Sequence, residues 1–89
     1  MQEPHFTEKQ GQYLAFIQAY TVVNGRPPAE SDMGRFFRMT PPSVHRMVIE
    51  LEVRGLIRRI PGQARNIEVS LDASEIPRLQ PIKTSAARY

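Results

Sequence analysis

The chain of 89 residues contains no cysteine, which removes disulfides, zinc fingers and thiol nucleophiles from consideration and makes a reducing compartment unremarkable. It has no apolar run approaching the length of a membrane span. Its opening residues, MQEPHFTEKQ, carry no basic segment ahead of an apolar one, so a secretory leader is not expected. Catalytic constellations are missing as well. There is no Gly-rich phosphate loop, no paired-carboxylate motif and no nucleophile with a base at helical spacing. Glu50 and Glu52 stand two apart and face different directions on a helix. The two histidines, His5 and His45, do not make a metal-ligand set. Nothing supplies the exposed stacking aromatics that single-stranded RNA needs. The expectation is a cytoplasmic, non-enzymatic protein with no cofactor, no membrane attachment and no evident small-molecule substrate.

What is present is one small domain's worth of ordinary globular sequence, 40% hydrophobic and 24% charged, with an uneven distribution of charge. The net charge is +3. Residues 34–65 hold seven arginines (Arg35, Arg38, Arg46, Arg54, Arg58, Arg59 and Arg65) against Glu50 and Glu52, a local balance of +5. Residues 1–33 balance at −2 and residues 66–89 at zero. A basic segment in which every cation is arginine suggests a phosphate-facing surface, because the guanidinium fork pairs with phosphate bidentately. A merely solvated basic surface is the competing reading.

The periodicity predicts three helices and a hairpin. Thr7 with Gln10 forms a capping-box start, and Asn24-Gly25 ahead of Pro27-Pro28 forms a stop. Between them Tyr13, Leu14, Ile17 and Tyr20 make one apolar stripe, which Phe16 and Val23 widen. A short second helix follows over about Glu30 to Phe37, with Glu30 and Asp32 in its first turn, where the helix dipole favours acids. Met33, Phe36 and Phe37 form its buried side. Thr40 then caps a third helix that opens on Pro41-Pro42. Val44, Met47, Val48 and Leu51 line its inner face to about Arg54, and Gly55 ends it in left-handed geometry. After Gly55 the period changes to two. Leu56–Ile60 and Asn66–Leu71 read as strands joined by the turn Pro61–Arg65. The tail from Asp72, with Pro77 and Pro81 and no sustained period, reads as an extended or mobile arm. The expected architecture is mainly α with a small β-hairpin: a winged helix-turn-helix over residues 1–71, followed by a tail over 72–89.

Residues 30–49 follow the helix-turn-helix pattern, with Gly34 small where two helices cross, Met33 and Phe37 in the core beside it, Met39 plugging the turn and Val44 inside the next helix. Thr40 to Ile57, TPPSVHRMVIELEVRGLI, resembles the recognition helix and first wing strand of MarR-type regulators. Phe6 to Leu71 resembles the N-terminal DNA-binding domain of LexA-type repressors, most closely in GRPPAESDM (Gly25–Met33) and GLIRRIPGQARNIEV (Gly55–Val69). The resemblance covers about two-thirds of the chain and implies a bacterial-type regulator of transcription. Two departures stand out. The glycine common in the turn is Arg38, which requires either a positive φ of a non-glycine residue or a different turn. The Ser or Thr cap of the second helix is Ala29, which has no side-chain acceptor. LexA-type repressors also carry a self-cleaving, dimerising C-terminal domain that does not fit into this chain. Lys83 and Ser85 are therefore not read as a catalytic pair.

With the third helix's apolar stripe turned inward, its outer face is Pro42, His45, Arg46 and Ile49, flanked by Ser43 and Glu50, with Thr40 at its start. A major groove admits such a helix, and side chains near the helix N-terminus reach base edges. Arg46 is the candidate for guanine O6 and N7, or alternatively a phosphate clamp. Ser43 and His45 can donate or accept to bases or phosphates, and Pro42 and Ile49 can meet a thymine methyl. Ile49 serves equally well on a partner surface. The helix's N-terminal amides are a further phosphate site. Arg58 and Arg59 point to opposite faces of a strand, so one of them at most aims at DNA, and Arg65 at the wing's edge is a minor-groove or phosphate candidate. Four or five phosphates in all would give a salt slope of roughly −4. The expected partner is double-stranded DNA, bound by two copies because one domain of this size buries little DNA surface. The candidate dimer surfaces are helix 1 and the tail from Ile76 to Ile82. The alternative function is a winged-helix protein–protein interaction module without specific DNA binding.

Overall fold

The computed structural model describes residues 6–62 and 65–82. His5, the turn residues 63–64 and the Lys83 and Ser85 considered above lie outside the described residues. The order is α1 (Glu8–Asn24), α2 (Glu30–Phe37), α3 (Pro41–Val53), β1 (Ile57–Arg59), β2 (Ile67–Val69) and a single 3₁₀ turn at Ala73–Glu75. β1 and β2 form an antiparallel ribbon with Ile57 opposite Val69, Arg58 opposite Glu68 and Arg59 opposite Ile67. Three helices followed by a two-stranded wing is the winged helix-turn-helix. Among the described residues no helix is long and apolar enough to cross a membrane.

Each helix begins where local chemistry satisfies its free amides. At α1, Thr7 Oγ1 accepts from the Gln10 N–H at 3.1 Å while Gln10 Oε1 accepts from the Thr7 N–H at 3.0 Å, a reciprocal capping box. Gln10 is buried, and its Nε2 also donates to Glu50 Oε1 at 3.4 Å, so the cap ties α1 to α3. At α2 the missing hydroxyl of Ala29 is partly compensated from the other side. Asp32 Oδ2 reaches back to accept from the Ala29 N–H at 2.8 Å. The α2–α3 turn closes on Arg38, which adopts φ 58°, ψ 46°, the left-handed conformation its place in the turn requires.

The core lies where all the elements meet. Tyr13, Leu14 and Ile17 of α1, Met33 and Phe37 of α2, Val44, Val48 and Leu51 of α3, and Leu56, Ile57 and Ile67 of the wing are all buried. Tyr13 stacks on Phe37 with centroids 4.0 Å apart, and Phe36 meets Phe37 edge-on at 4.9 Å. Gly34 is small for the expected reason: a Cβ there would lie 3.2 Å from the Met39 carbonyl oxygen and 3.6 Å from Val44 Cγ2. Met39 itself departs from expectation. Its backbone plugs the turn, the N–H donating to the Gly34 carbonyl at 3.0 Å, but its side chain is 37% exposed rather than core. The close approach at Gly34 is made by main chain, which leaves no room beneath it for the methionine.

The tail is extended beyond the 3₁₀ turn, as one of the two readings had it, and through residue 82 it is docked along α1. Ile76, Leu79 and Ile82 pack half-buried against the core, and the Gln12 side chain holds it from both sides. Gln12 Nε2 donates to the Arg78 carbonyl at 2.9 Å, and Gln12 Oε1 accepts from the Gln80 N–H at 2.7 Å. Gly11 makes the approach possible, because a Cβ there would come within 2.9 Å of both Pro77 Cγ and Phe6 Cε1. Phe16 is thus used within the chain, and the tail's apolar side chains with it, but Val23, expected to widen the α1 stripe, is 80% exposed at the far end of the helix.

Candidate nucleic-acid interface

α3 is fixed from beneath and offered from above. Val44, Val48 and Leu51 are fully buried, so the helix cannot roll without exposing them; truncating any one would cost about 2–5 kcal/mol at a site that relaxes poorly. The opposite side carries Pro42, His45, Arg46, Ile49 and Glu50 exposed, with Ser43 half-buried at the first turn. Ile49 is 43% exposed and Val53, beyond it, 79%. Thr40 Oγ1 accepts from the Ser43 N–H at 3.4 Å and donates to Ser43 Oγ at 3.0 Å, so the Thr40 hydroxyl is engaged in the cap while Ser43 keeps its own O–H to donate.

That cap removes one expected site. Pro41 and Pro42 have no N–H. The Ser43 N–H is directed to Thr40 Oγ1 and the Val44 N–H to the Thr40 carbonyl at 3.0 Å. The first turn of α3 therefore presents no spare amide to a phosphate, and the diproline that makes the helix start sharp is what abolishes the anion site.

The arginines divide by partner. Arg46 is exposed and makes no hydrogen bond or ion pair among the described residues. Arg58 is 70% exposed and crosses the ribbon to Glu68, Nε to Oε1 2.6 Å. Arg59 faces the other way, one-third exposed, with Nε 3.3 Å from Glu52 Oε1. This contact is electrostatic and lacks hydrogen-bond alignment. The two wing arginines do face opposite sides, and Arg59 lies against the end of α3.

Arg65 has turned inward. Its Nη1 donates to Asp32 Oδ2 at 2.8 Å, to the Pro27 carbonyl at 3.2 Å and to Tyr20 Oη at 3.3 Å, and its guanidinium lies 5.9 Å from the centre of the Tyr20 ring. A phosphate contact through Nη1 would have to break that set. The wing's edge is instead fastened to α1 and α2. The Asp32 carboxyl is held below the ordinary aspartate range, first by the Ala29 N–H and then by Arg65, and the same bond raises the Arg65 guanidinium.

Two residues that the sequence did not single out as contacts lie at this surface. Arg38, its charge counted there only within the basic segment, is exposed in the helix-turn-helix turn. Glu30, read only as a dipole partner of α2, places its carboxylate on His45: Nδ1 stands 3.2 and 3.1 Å from its two oxygens.

Comparison with known proteins agrees with this geometry. Residues 3–66 match the family described as the LexA DNA binding domain. Over 63 residues the chain is 41% identical to the LexA repressor of Thermosipho melanesiensis, covering 71% of this chain and 32% of that protein. Over 83 residues it is 35% identical to the LexA repressor of Thermotoga petrophila, covering 92% and 42%. The chain spans less than half the length of these curated relatives.

Proposed function

The chain belongs to the LexA DNA-binding domain family, and from that premise we propose that it reads specific sequences in duplex DNA as part of a bacterial regulator of transcription, with α3 in the major groove and the β1–β2 wing over the adjacent backbone. The relatives it matches are repressors by name, and repression is the direction we assign. Arg46 carries the reading. It is an exposed cation with no partner among the described residues, held at a fixed angle by a fully buried opposite face. A guanidinium so placed suits guanine O6 and N7. Ser43, His45, Pro42 and Ile49 supply the remaining base-facing groups, and Thr40 shapes the start of the helix. Arg38 and Arg58 act on phosphates, with part of the Arg58 charge offset by Glu68. Arg65 and Arg59 support the wing instead of touching DNA. A single domain of this kind buries on the order of 600–1,000 Å² on DNA, so two copies on paired half-sites are the bound form.

Two or three phosphate contacts per copy correspond to a slope of log K against log[salt] of about −2 to −3 for one copy on a half-site, and about twice that for two. For one copy this is shallower than the sequence suggested, because Arg65 and the α3 amides are no longer counted. Fluorescence anisotropy with a labelled duplex over a salt series measures it. A slope near zero would sink the DNA reading and favour protein–protein docking through the exposed Ile49 and Val53.

A further inference from the structure

We propose that Glu30 is a positioning residue for base readout: it holds the His45 ring so that Nε2 is presented to the groove as a hydrogen-bond acceptor for the exocyclic amino group of an adenine or a cytosine. The inference rests on the DNA-binding reading above and adds to it the chemistry of one base contact. Both oxygens of the Glu30 carboxylate lie within 3.2 Å of His45 Nδ1. An ionised carboxylate only accepts hydrogen bonds, so Nδ1 carries the hydrogen. In the uncharged ring the other nitrogen, Nε2, then bears the lone pair. In the major groove adenine N6 and cytosine N4 are the donors such an atom can accept from, whereas guanine and thymine present acceptors there. The His45 side chain is 57% exposed and Glu30 34%, so the pair lies at the surface of the α3 face with the ring open to a ligand. Glu30 comes from α2 and His45 from α3, so the contact also fixes the ring relative to the scaffold instead of leaving it free about its own helix.

An acidic side chain beside a phosphate-binding surface has a general effect that runs the other way. Removing it weakens repulsion and raises affinity for every duplex alike. The two effects separate in one experiment. The full chain, Glu30→Gln, Glu30→Ala and His45→Ala are each used to select from a duplex library randomised across the site, at pH 8. Thermal melts accompany each selection. The expected result for both Glu30 variants is melting lowered by no more than the His45→Ala variant's shift plus the loss of one first-turn acid, a uniform rise in affinity and a three- to tenfold loss of discrimination (about the worth of one hydrogen bond) at a single base pair. That base pair is the one His45→Ala also relaxes. In Glu30→Gln the preference there broadens to admit guanine, because the glutamine amide can donate to Nδ1 and leave the hydrogen on Nε2. Adding His45→Ala to Glu30→Gln produces no further loss at that position. Unchanged discrimination in the Glu30 variants, or loss spread over several base pairs, overturns the inference while leaving the DNA-binding reading standing. Failure of the full chain to select any sequence overturns both.

Discussion

Arg38 lets stability and DNA affinity be moved in opposite directions by one substitution. It sits at φ 58°, ψ 46°, where an L-residue pays about 1–2 kcal/mol for the approach of its Cβ to the following carbonyl. Glycine removes that cost but adds about 0.5–1 kcal/mol of chain entropy to the unfolded state. The balance for Arg38→Gly is a gain of about 0.5–1 kcal/mol. At about 4–8 °C per kcal/mol for a domain of this size, the Tm rises by about 2–8 °C. Arg38→Ala keeps the Cβ and gains nothing. Both substitutions remove the same cation from the edge of α3, so both are expected to weaken binding to all duplexes alike and reduce the salt slope by about 1 per copy. Circular dichroism melts and anisotropy titrations on the three proteins read the two quantities separately. A Tm for Arg38→Gly at or below that of Arg38→Ala would refute the strain argument, and unchanged salt slopes would remove Arg38 from the interface.

Three further outcomes follow from the packing. The Asp32 carboxyl is held below its ordinary value of 3.8 by the Ala29 N–H and by Arg65. A folded-state value below the unfolded one contributes stability that is complete above the unfolded value and lost as the pH falls through the folded one; the Tm gap between the full chain and Asp32→Asn is therefore expected at neutral pH and to close below about pH 4, and a gap independent of pH would contradict it. Gly11→Ala places a methyl within 2.9 Å of Pro77 and Phe6, and the expected result is faster tryptic cleavage after Arg78 as the tail lifts from α1, with equal cleavage rates counting against the docking. Removing residues 72–89 uncovers the α1 surface beneath Ile76, Leu79 and Ile82 and is expected to lower the Tm; a truncated chain that melts like the full one would return the tail to the status of a free arm.

Local chemistry was legible in the sequence and side-chain direction was not. Thr7 with Gln10, Thr40 with Pro41, and Gly55 mark helix ends through groups that interact within a few residues. The change from a period near 3.6 to a period of two marks the wing for the same reason. Even the strain at Arg38 follows from its place in the turn. The inward contacts of Arg65 could not be read because they depend on Asp32, Pro27 and Tyr20, three partners far away in sequence. A position at a wing's edge says nothing of which way a long side chain turns. The Glu30–His45 contact was hidden in the same way. The absence of α3 amides was available from the start, since two prolines in the first turn leave only two N–H groups there and Thr40 satisfies both. The docked tail escaped notice because its apolar residues follow no period: it is fastened through Gln12 and through the space at Gly11, neither of which reads as a binding feature in a linear chain.

The central claim, that α3 lies in the major groove with Arg46 on a guanine, is tested most directly by dimethyl sulfate protection of guanine N7, an atom of the major groove. The duplex is one the chain itself has selected. The account predicts that a guanine in each half-site is protected by the full chain and becomes reactive again with Arg46→Ala at saturating concentration, while protection elsewhere persists. Bound DNA in which every guanine N7 stays reactive would contradict it, because a helix seated in the major groove cannot leave that edge open.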